Sequence, residues 1–440
     1  MKPGALVTKA RALTIVGIMP TQDRCRVLGS SCAALLLALS LPGQAAGVPE
    51  LQKKLTYSNP AERLAAAEAL AKLGPAAGAA VQALGGLLDD KVDEVRAAAA
   101  AALGGIGKRA VPVVERALDD RKKLIGALLA VGKLGPQAVP LLPTLMKAWR
   151  PDNSDISGRI RQAIKGIGAA AVPHLIVWLK DAATVTLACD CLRDIGKDAT
   201  AAIPSLVELL DKKGRTGRSL AADALGAIGD ARVVPTLVSH IEPALGRVDP
   251  LLDEIAAHAA RALGTMGPAA AGGIDALIAM LDCKRADDDV MHLRQQAALA
   301  IDDMGVPSAE AIAAVRRFAA TVEGDVRRLA TEVVERLDLH AGSKPERIAS
   351  GLSSRSSELR RLALDCVAAQ APAPQTHLPL VVALLVHETL PDNQLAAIAA
   401  VLAIGVGSDE IAKALAALAK SADERIATAA SSARETLQAK

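Results

Sequence analysis

At 440 residues the chain is long enough for two to four compact domains, but its composition argues against ordinary ones. Apolar residues make up 51% of it and aromatics 1%, so the core cannot lean on aromatic bulk and must be filled by Ala and Leu in thin layers of closely packed helices. The formal net charge of +3 is no broad basic excess for holding phosphates, which makes nucleic acid a poor partner.

Residues 1–46 stand apart from the rest of the chain. Lys2, Lys9, Arg11, Arg24 and Arg26 precede the apolar run CAALLLALSL (32–41), and Pro42, Gly43, Gln44, Ala45 and Ala46 come after it. A basic region, a short apolar region and small residues in that order read as a secretory signal peptide. Cleavage is expected after Ala45 or Ala46, and Met19 is an alternative start. The pattern implies a periplasmic or secreted protein. A disordered leader or an uncleaved anchor is the alternative, with a cytoplasmic location if the leader is not functional. The run falls short of the roughly 20 apolar residues of a spanning helix, so no stable membrane span is expected. The leader takes five basic residues and one acidic residue out of 51 and 48, leaving 46 against 47 and a net charge of about −1.

Two of the six cysteines, Cys25 and Cys32, lie in the leader; Cys189, Cys191, Cys283 and Cys366 remain. Cys189 and Cys191 are two apart on an expected helix, so their side chains diverge. Buried thiols acting as small apolar groups fit better than a disulfide framework.

Beyond the leader the chain is periodic. In EVRAAAAAALGGIGKRAVPVVERALDD (94–120), an Ala/Leu helix stops at Gly107, a short turn comes next, and Pro112 falls in the first turn of the second helix. Equivalent stops occur at Gly74, Gly135, Gly168, Gly196, Gly229, Gly267 and Gly305. The register continues without glycine near Asp338 and Ala371, returns at Gly405 and ends near Thr436. Spacings of 28, 33 or 38 residues with two helical patterns each predict an all-α fold: an α-solenoid of about a dozen antiparallel helix pairs over residues 47–440. First helices such as AVPVVERALDD (110–120) carry one apolar stripe, and second helices such as RSLAADALGAIG (218–229) are Ala-rich and suited to close approach. The second helices are expected to line the concave face.

The AVP-type opening, the acid ending the first helix, the Arg opening the second and the L-G-x-I-G close resemble HEAT repeats. They are most similar to the bacterial phycobilisome-lyase-like (PBS lyase HEAT-like) subclass. Eleven residues before the stops lie Arg63, Arg96, Arg218 and Arg294, and the same count from the glycine-less stops gives Arg327, Arg360 and Arg425. Acids six or seven residues earlier include Asp89, Asp90 and Asp211. The resemblance implies an inter-repeat Asp/Arg ladder, a structural role that outweighs the alternative of an arginine row gripping an acidic partner.

Three segments depart from the repeat: the loop beginning Trp149-Arg150, residues 242–252 with Arg247, and residues 283–291 with Lys284 and Arg285. Insertions in solenoids map to edge loops, which often make contacts. Trp149, Arg150, Arg247, Lys284 and Arg285 are therefore candidate partner-binding residues. Trp178 is read as core.

The seven histidines form no zinc-spaced cluster. His387-Glu388 resembles one element of the HEAT-like di-iron hydroxylases, but a single copy cannot supply their ligands. Asp287-Asp288-Asp289 lacks the spaced ligands of a calcium loop, and Gly104–Gly107 lacks the strand and Lys-Ser/Thr of a phosphate loop. No catalytic residue, metal or cofactor is assigned. The expectation is a non-catalytic, exported scaffold binding a protein or peptide along the concave face or edge loops. The rival implied by the resemblance is a subunit of a phycobilin lyase or another HEAT-like enzyme.

Overall fold

The computed structural model describes residues 47–150, 152–212, 217–285, 287, 289–341, 344–370 and 373–438. The leader, Asp288 and the expected cleavage site lie outside them. The described residues form 24 α-helices in 12 antiparallel pairs, without a strand. They fall into two compact units, residues 1–171 and 172–440.

The first unit contains α1 (Val48–Lys54), α2 (Pro60–Leu73), α3 (Val81–Gly86), α4 (Asp93–Ile106), α5 (Val111–Leu118), α6 (Leu124–Leu134), α7 (Leu142–Ala148) and α8 (Ser154–Ile167). The second begins with α9 (Val172–Trp178), α10 (Val185–Ile195), α11 (Ile203–Asp211), α12 (Arg218–Ile228), α13 (Val234–Gly246), α14 (Pro250–Met266), α15 (Ile274–Leu281) and α16 (Asp289–Met304). It ends with α17 (Ala309–Thr321), α18 (Gly324–His340), α19 (Pro345–Leu352), α20 (Ser357–Ala369), α21 (Leu378–His387), α22 (Pro391–Ile404), α23 (Asp409–Leu418) and α24 (Glu424–Gln438).

The stop glycines set this pattern. Six of them, from Gly74 through Gly196 and at Gly267, combine φ of +56° to +79° with ψ of −130° to −145°. This is the mirror image of the extended region rather than the left-handed helical well common at helix ends. The stops at Gly229 and Gly405 do occupy that well. The first region is open essentially to glycine alone and the second strongly favours it. After each of the six, a 3₁₀ turn such as Gly107–Ala110 carries the chain into the next first helix.

Each pair buries a stripe from its first helix, such as Val113, Val114, Ala117 and Leu118 in α5, against Ala-rich second helices. Second helices approach almost backbone to backbone. A Cβ on Gly166 would lie 2.5 Å from the Gly132 carbonyl oxygen, one on Gly226 2.6 Å from Ala262 Cα, and one on Gly264 2.9 Å from Ala300 Cα. The first of the two five-residue insertions extends helices on both sides of a short connector at residues 247–249, whereas residues 283–285 and 287 of the second lie in the connector before α16. The helices flanking them are long: α13 has 13 residues, α14 has 17 and α16 has 16, against 8 in α5 and 11 in α6.

Four segments, Pro60–Asp89, Asp93–Leu118, Leu124–Ala148 and Pro250–Leu281, are apolar and long enough by composition to cross a membrane. Each is broken by a positive-φ glycine at Gly74, Gly107, Gly135 or Gly267, where the chain folds back. The longest single helices among the described residues have 17 residues.

Gly168 isolates the backbone contribution, because a Cβ there would meet nothing within 4 Å while φ is +69°. Gly168→Ala is therefore expected to lower the stability of the first unit by about 1–3 kcal/mol through strain alone. A urea denaturation midpoint equal to wild type would contradict this.

Candidate partner-binding surface

Six of the seven arginines of the expected ladder form two kinds of contact, and the seventh, Arg425, meets the carboxylates of Asp423 and Asp392. Arg63 forks Asp90 of the next pair at 2.7 and 2.9 Å and donates to the carbonyls of Tyr57 and Ser58. Arg360 repeats the arrangement with Glu388 at 2.8 Å and the carbonyls of Ser354 and Arg355. The other four hold main-chain carbonyls upstream: Arg96 that of Asp90, Arg218 that of Leu210, Arg294 that of Cys283 and Arg327 that of Ala319. Arg96 also meets Asp93. The carboxylate partner thus lies 27 or 28 residues downstream of its arginine, and the group upstream is a carbonyl rather than the expected acid. Arginines outside the counted register, Arg261, Arg317 and Arg336, bridge neighbouring pairs to Asp223, Asp282 and Asp302.

These pairings shift the carboxylates as charge-assisted hydrogen bonds should. The Arg63 guanidinium holds Asp90 below the ordinary carboxylate range. Arg360 first, then Asn393 and the amides of Thr389 and Leu390, bring Glu388 down to about 2 against burial. Glu388 is 7% exposed, so the His387-Glu388 dipeptide supplies a buried ion-pair partner. Burial pushes the Cys189 thiol up to about 12, away from the reactive thiolate.

The edge residues divide. Arg285 does not face a partner: its side chain is 7% exposed. Its guanidinium forks Asp253 at 2.6 and 2.8 Å and Asp287 at 2.8 and 2.7 Å, and also reaches the Ala244 carbonyl. From the connector before α16 this side chain is buried against Asp253 and Asp287, whose carboxylates replace its lost hydration. Asp289 completes a carboxylate cluster with them, and Arg285 is the cation at its centre. Arg150 is exposed but donates to the carbonyls of Lys147 and Trp149. Arg247 and Lys284 are exposed, and Trp149 is half-buried. Trp178 is also half-buried, and the core beside it is filled by Leu175 and Leu179.

The feature the sequence did not point to is a groove of about 460 Å³ between the second helices α6 and α8. Leu128 and Ala163 form its floor, with Ile125 and Leu129 on one wall and Gly158, Arg159 and Gln162 on the other. The two helices touch at Gly132 and Gly166 and part toward their N-termini, so a Cβ on Gly158 would meet nothing within 4 Å. Leu129 is 39% exposed there, a large apolar side chain left to solvent. Arg159 pairs with Asp155 at 3.1 Å, while Lys133 is exposed and faces no paired carboxylate among the described residues. The available signal was Gly158 itself, a glycine in a helix interior away from any stop.

Stacked antiparallel helix pairs make the chain an α-solenoid. Within that class it carries HEAT repeats: the HEAT repeats family matches residues 32–104 and 48–126, and the PBS lyase HEAT-like repeat matches residues 218–242. No curated protein matches the chain. Among solved structures, a Kap95:Nup1 complex aligns at 15% identity over 89% of this chain and 63% of that one, with a TM-score of 0.49. Importin beta in an ammonium sulfate condition aligns at 15% identity over 89% and 59%, with a TM-score of 0.39. An engineered protein aligns at 22% identity over 89% and 98%, with a TM-score of 0.28.

Removing Arg285 leaves the buried carboxylate of Asp253 and the half-buried one of Asp287 without their cation. Arg285→Ala is expected to cost about 3–5 kcal/mol, whereas Arg247→Ala on the exposed connector stays within about 0.5 kcal/mol. Equal urea midpoints for the two variants would refute the distinction. Glu388 makes stability pH-dependent. Its folded pKa of about 2 lies below the ordinary 4.5, so its contribution is complete above about pH 4.5 and is lost as pH falls toward about 2. Glu388→Gln should flatten that part of the acid-denaturation profile, and an unchanged profile would remove the ion pair from the account.

Proposed function

We propose that the protein is an exported, non-catalytic scaffold that binds a protein partner on its stacked helix pairs. The observation that carries this reading is the α6–α8 groove, an apolar concavity left open beside second-helix contacts that close tightly at Gly104, Gly166, Gly226 and Gly264. HEAT-type stacks present extended surfaces of this kind, with each pair contributing a ridge. The polar clusters that resemble catalytic groups support the same reading. Asp223 is taken up by His258 at 3.0 Å and by Arg261, and Asp302 by Arg336 at 2.7 Å, so each acid is neutralised by an inter-helix partner. Export rests on the composition of residues 1–46.

Affinity capture with the full chain from the periplasmic or culture fraction should recover a stoichiometric protein partner; recovery of background alone sinks the scaffold. Sequencing the N-terminus of the mature protein should give Ala46 or Gly47 as the first residue. A product beginning at Met1 or Met19 would eliminate export.

The PBS lyase HEAT-like match over residues 218–242 favours one second reading, a subunit of a bilin-attaching enzyme. Incubation of the purified protein with bilin distinguishes the two. A new visible absorbance band would establish the enzymatic reading in place of the scaffold.

A further inference from the structure

Gly158 is the observation that asks for an explanation. A glycine inside a helix costs about 1 kcal/mol relative to alanine, and elsewhere in these second helices contact explains the cost. A Cβ on Gly104 would strike Lys133, one on Gly166 the Gly132 carbonyl, and one on Gly264 Ala300. At Gly158 there is nothing within 4 Å and no positive φ. Neither packing nor backbone conformation requires glycine there. What its missing side chain does is widen the α6–α8 groove beside the exposed Leu129.

The charges around that space are unbalanced. Asp155 is matched by Arg159, which leaves Lys133, among the described residues, as an unpaired cation at the closed end. The open end adjoins the turn before α6, in which Arg121, Lys122 and Lys123 outnumber Asp119 and Asp120 by one. An apolar floor with a free ammonium at one end complements a ligand that is apolar in the middle and anionic beside it. A basic ligand would meet repulsion from Lys133 and would find the one carboxylate lining the groove, Asp155, already paired with Arg159.

We infer that the α6–α8 groove is the seat for an acidic–apolar peptide segment of a partner protein. An apolar side chain fills the space beside Gly158 and Leu129, and a neighbouring carboxylate pairs with Lys133. This rests on the scaffold reading and deepens it by naming the partner's chemistry. Lys133 here contributes charge at the rim and Gly158 contributes room; neither is needed for the fold.

The test uses the full chain and two fluorescein-labelled peptides of equal length, each with a central Leu-Leu, one flanked by Glu and the other by Lys. Fluorescence polarisation should show the acidic peptide binding about tenfold or more tightly than the basic one. Gly158→Leu, which fills the groove, should weaken binding of the acidic peptide about tenfold or more, and Lys133→Glu should do the same with stronger salt dependence at wild type than in the variant. Gly158→Ala separates room from folding: it should raise the thermal midpoint and reduce binding less than Gly158→Leu. Equal binding of both peptides, wild-type affinity in Gly158→Leu, or no binding of either peptide overturns the inference. So does self-association of the wild type that Gly158→Leu abolishes, because the occupant is then a second copy of the chain. A partner captured equally well by wild type and Gly158→Leu overturns the groove while leaving the scaffold standing, whereas failure to capture any partner counts against the scaffold itself.

Discussion

Second helices packed nearly backbone to backbone are the contact on which the rest of this structure depends. With aromatics at 1% of the chain, no layer can be made thick, so each helix pair must bury its stripe by bringing its neighbour close. Gly132 against Gly166, Gly226 against Ala262 and Gly264 against Ala300 show how close: a single added methyl group would enter the facing backbone. The Ala-rich second helices, which look featureless as sequence, are what permits this distance. The stop glycines are the matching constraint on the connections. Six of them turn the chain from one helix into the next through 3₁₀ segments of four or seven residues, which keeps successive pairs in contact.

Close approach leaves little room for polar groups, and the chain resolves this by neutralising each buried charge with a defined partner. Arg63 with Asp90, Arg360 with Glu388 and Arg285 with Asp253 and Asp287 are all mostly buried pairs. Each brings side chains from different turns of the chain together in the stack. Such pairs are weak evidence of net stabilisation, because desolvation offsets the Coulombic gain. Their effect is on register: an arginine with two carboxylate oxygens and two carbonyls to reach has one acceptable position relative to the next pair. Arg360 supplies this where no glycine stop marks the end of its helix.

What is legible in the sequence is what is local. Helix stops, prolines in first turns and apolar stripes each depend on a few consecutive residues, and the helix pairs appear where those signals place them. Partner choice is not local. The arginines are legible as a recurring position, but whether one reaches a carboxylate or a carbonyl depends on the residue 27 or 28 positions on, which for Arg63 and Arg360 is an acid. Arg285 escapes a sequence reading for the same reason. Its insertion predicts an exposed loop residue, and Arg285 does lie in the connector before α16, yet Asp253 of the preceding helix pair and Asp287 draw its guanidinium into a buried position. Gly158 gives no signal of its own, because glycine is common in these helices and its meaning lies in what is absent across the groove.

That contrast also separates the fold from the site. In a stack where each pair contacts only its neighbours, stability is a sum of local terms, so a defect at one interface does not propagate far. The α6–α8 interface uses this freedom. It stays closed at Gly132 and Gly166, where the backbones touch, and opens toward the helix N-termini, where Gly158 and the exposed Leu129 face a space that none of the described residues fills. The closed end holds the two helices in register, and the open end is free to diverge without disturbing α4 or the pairs beyond. A binding surface built in this way costs the fold only the propensity of one glycine and the exposure of one leucine, both confined to the interface that carries it.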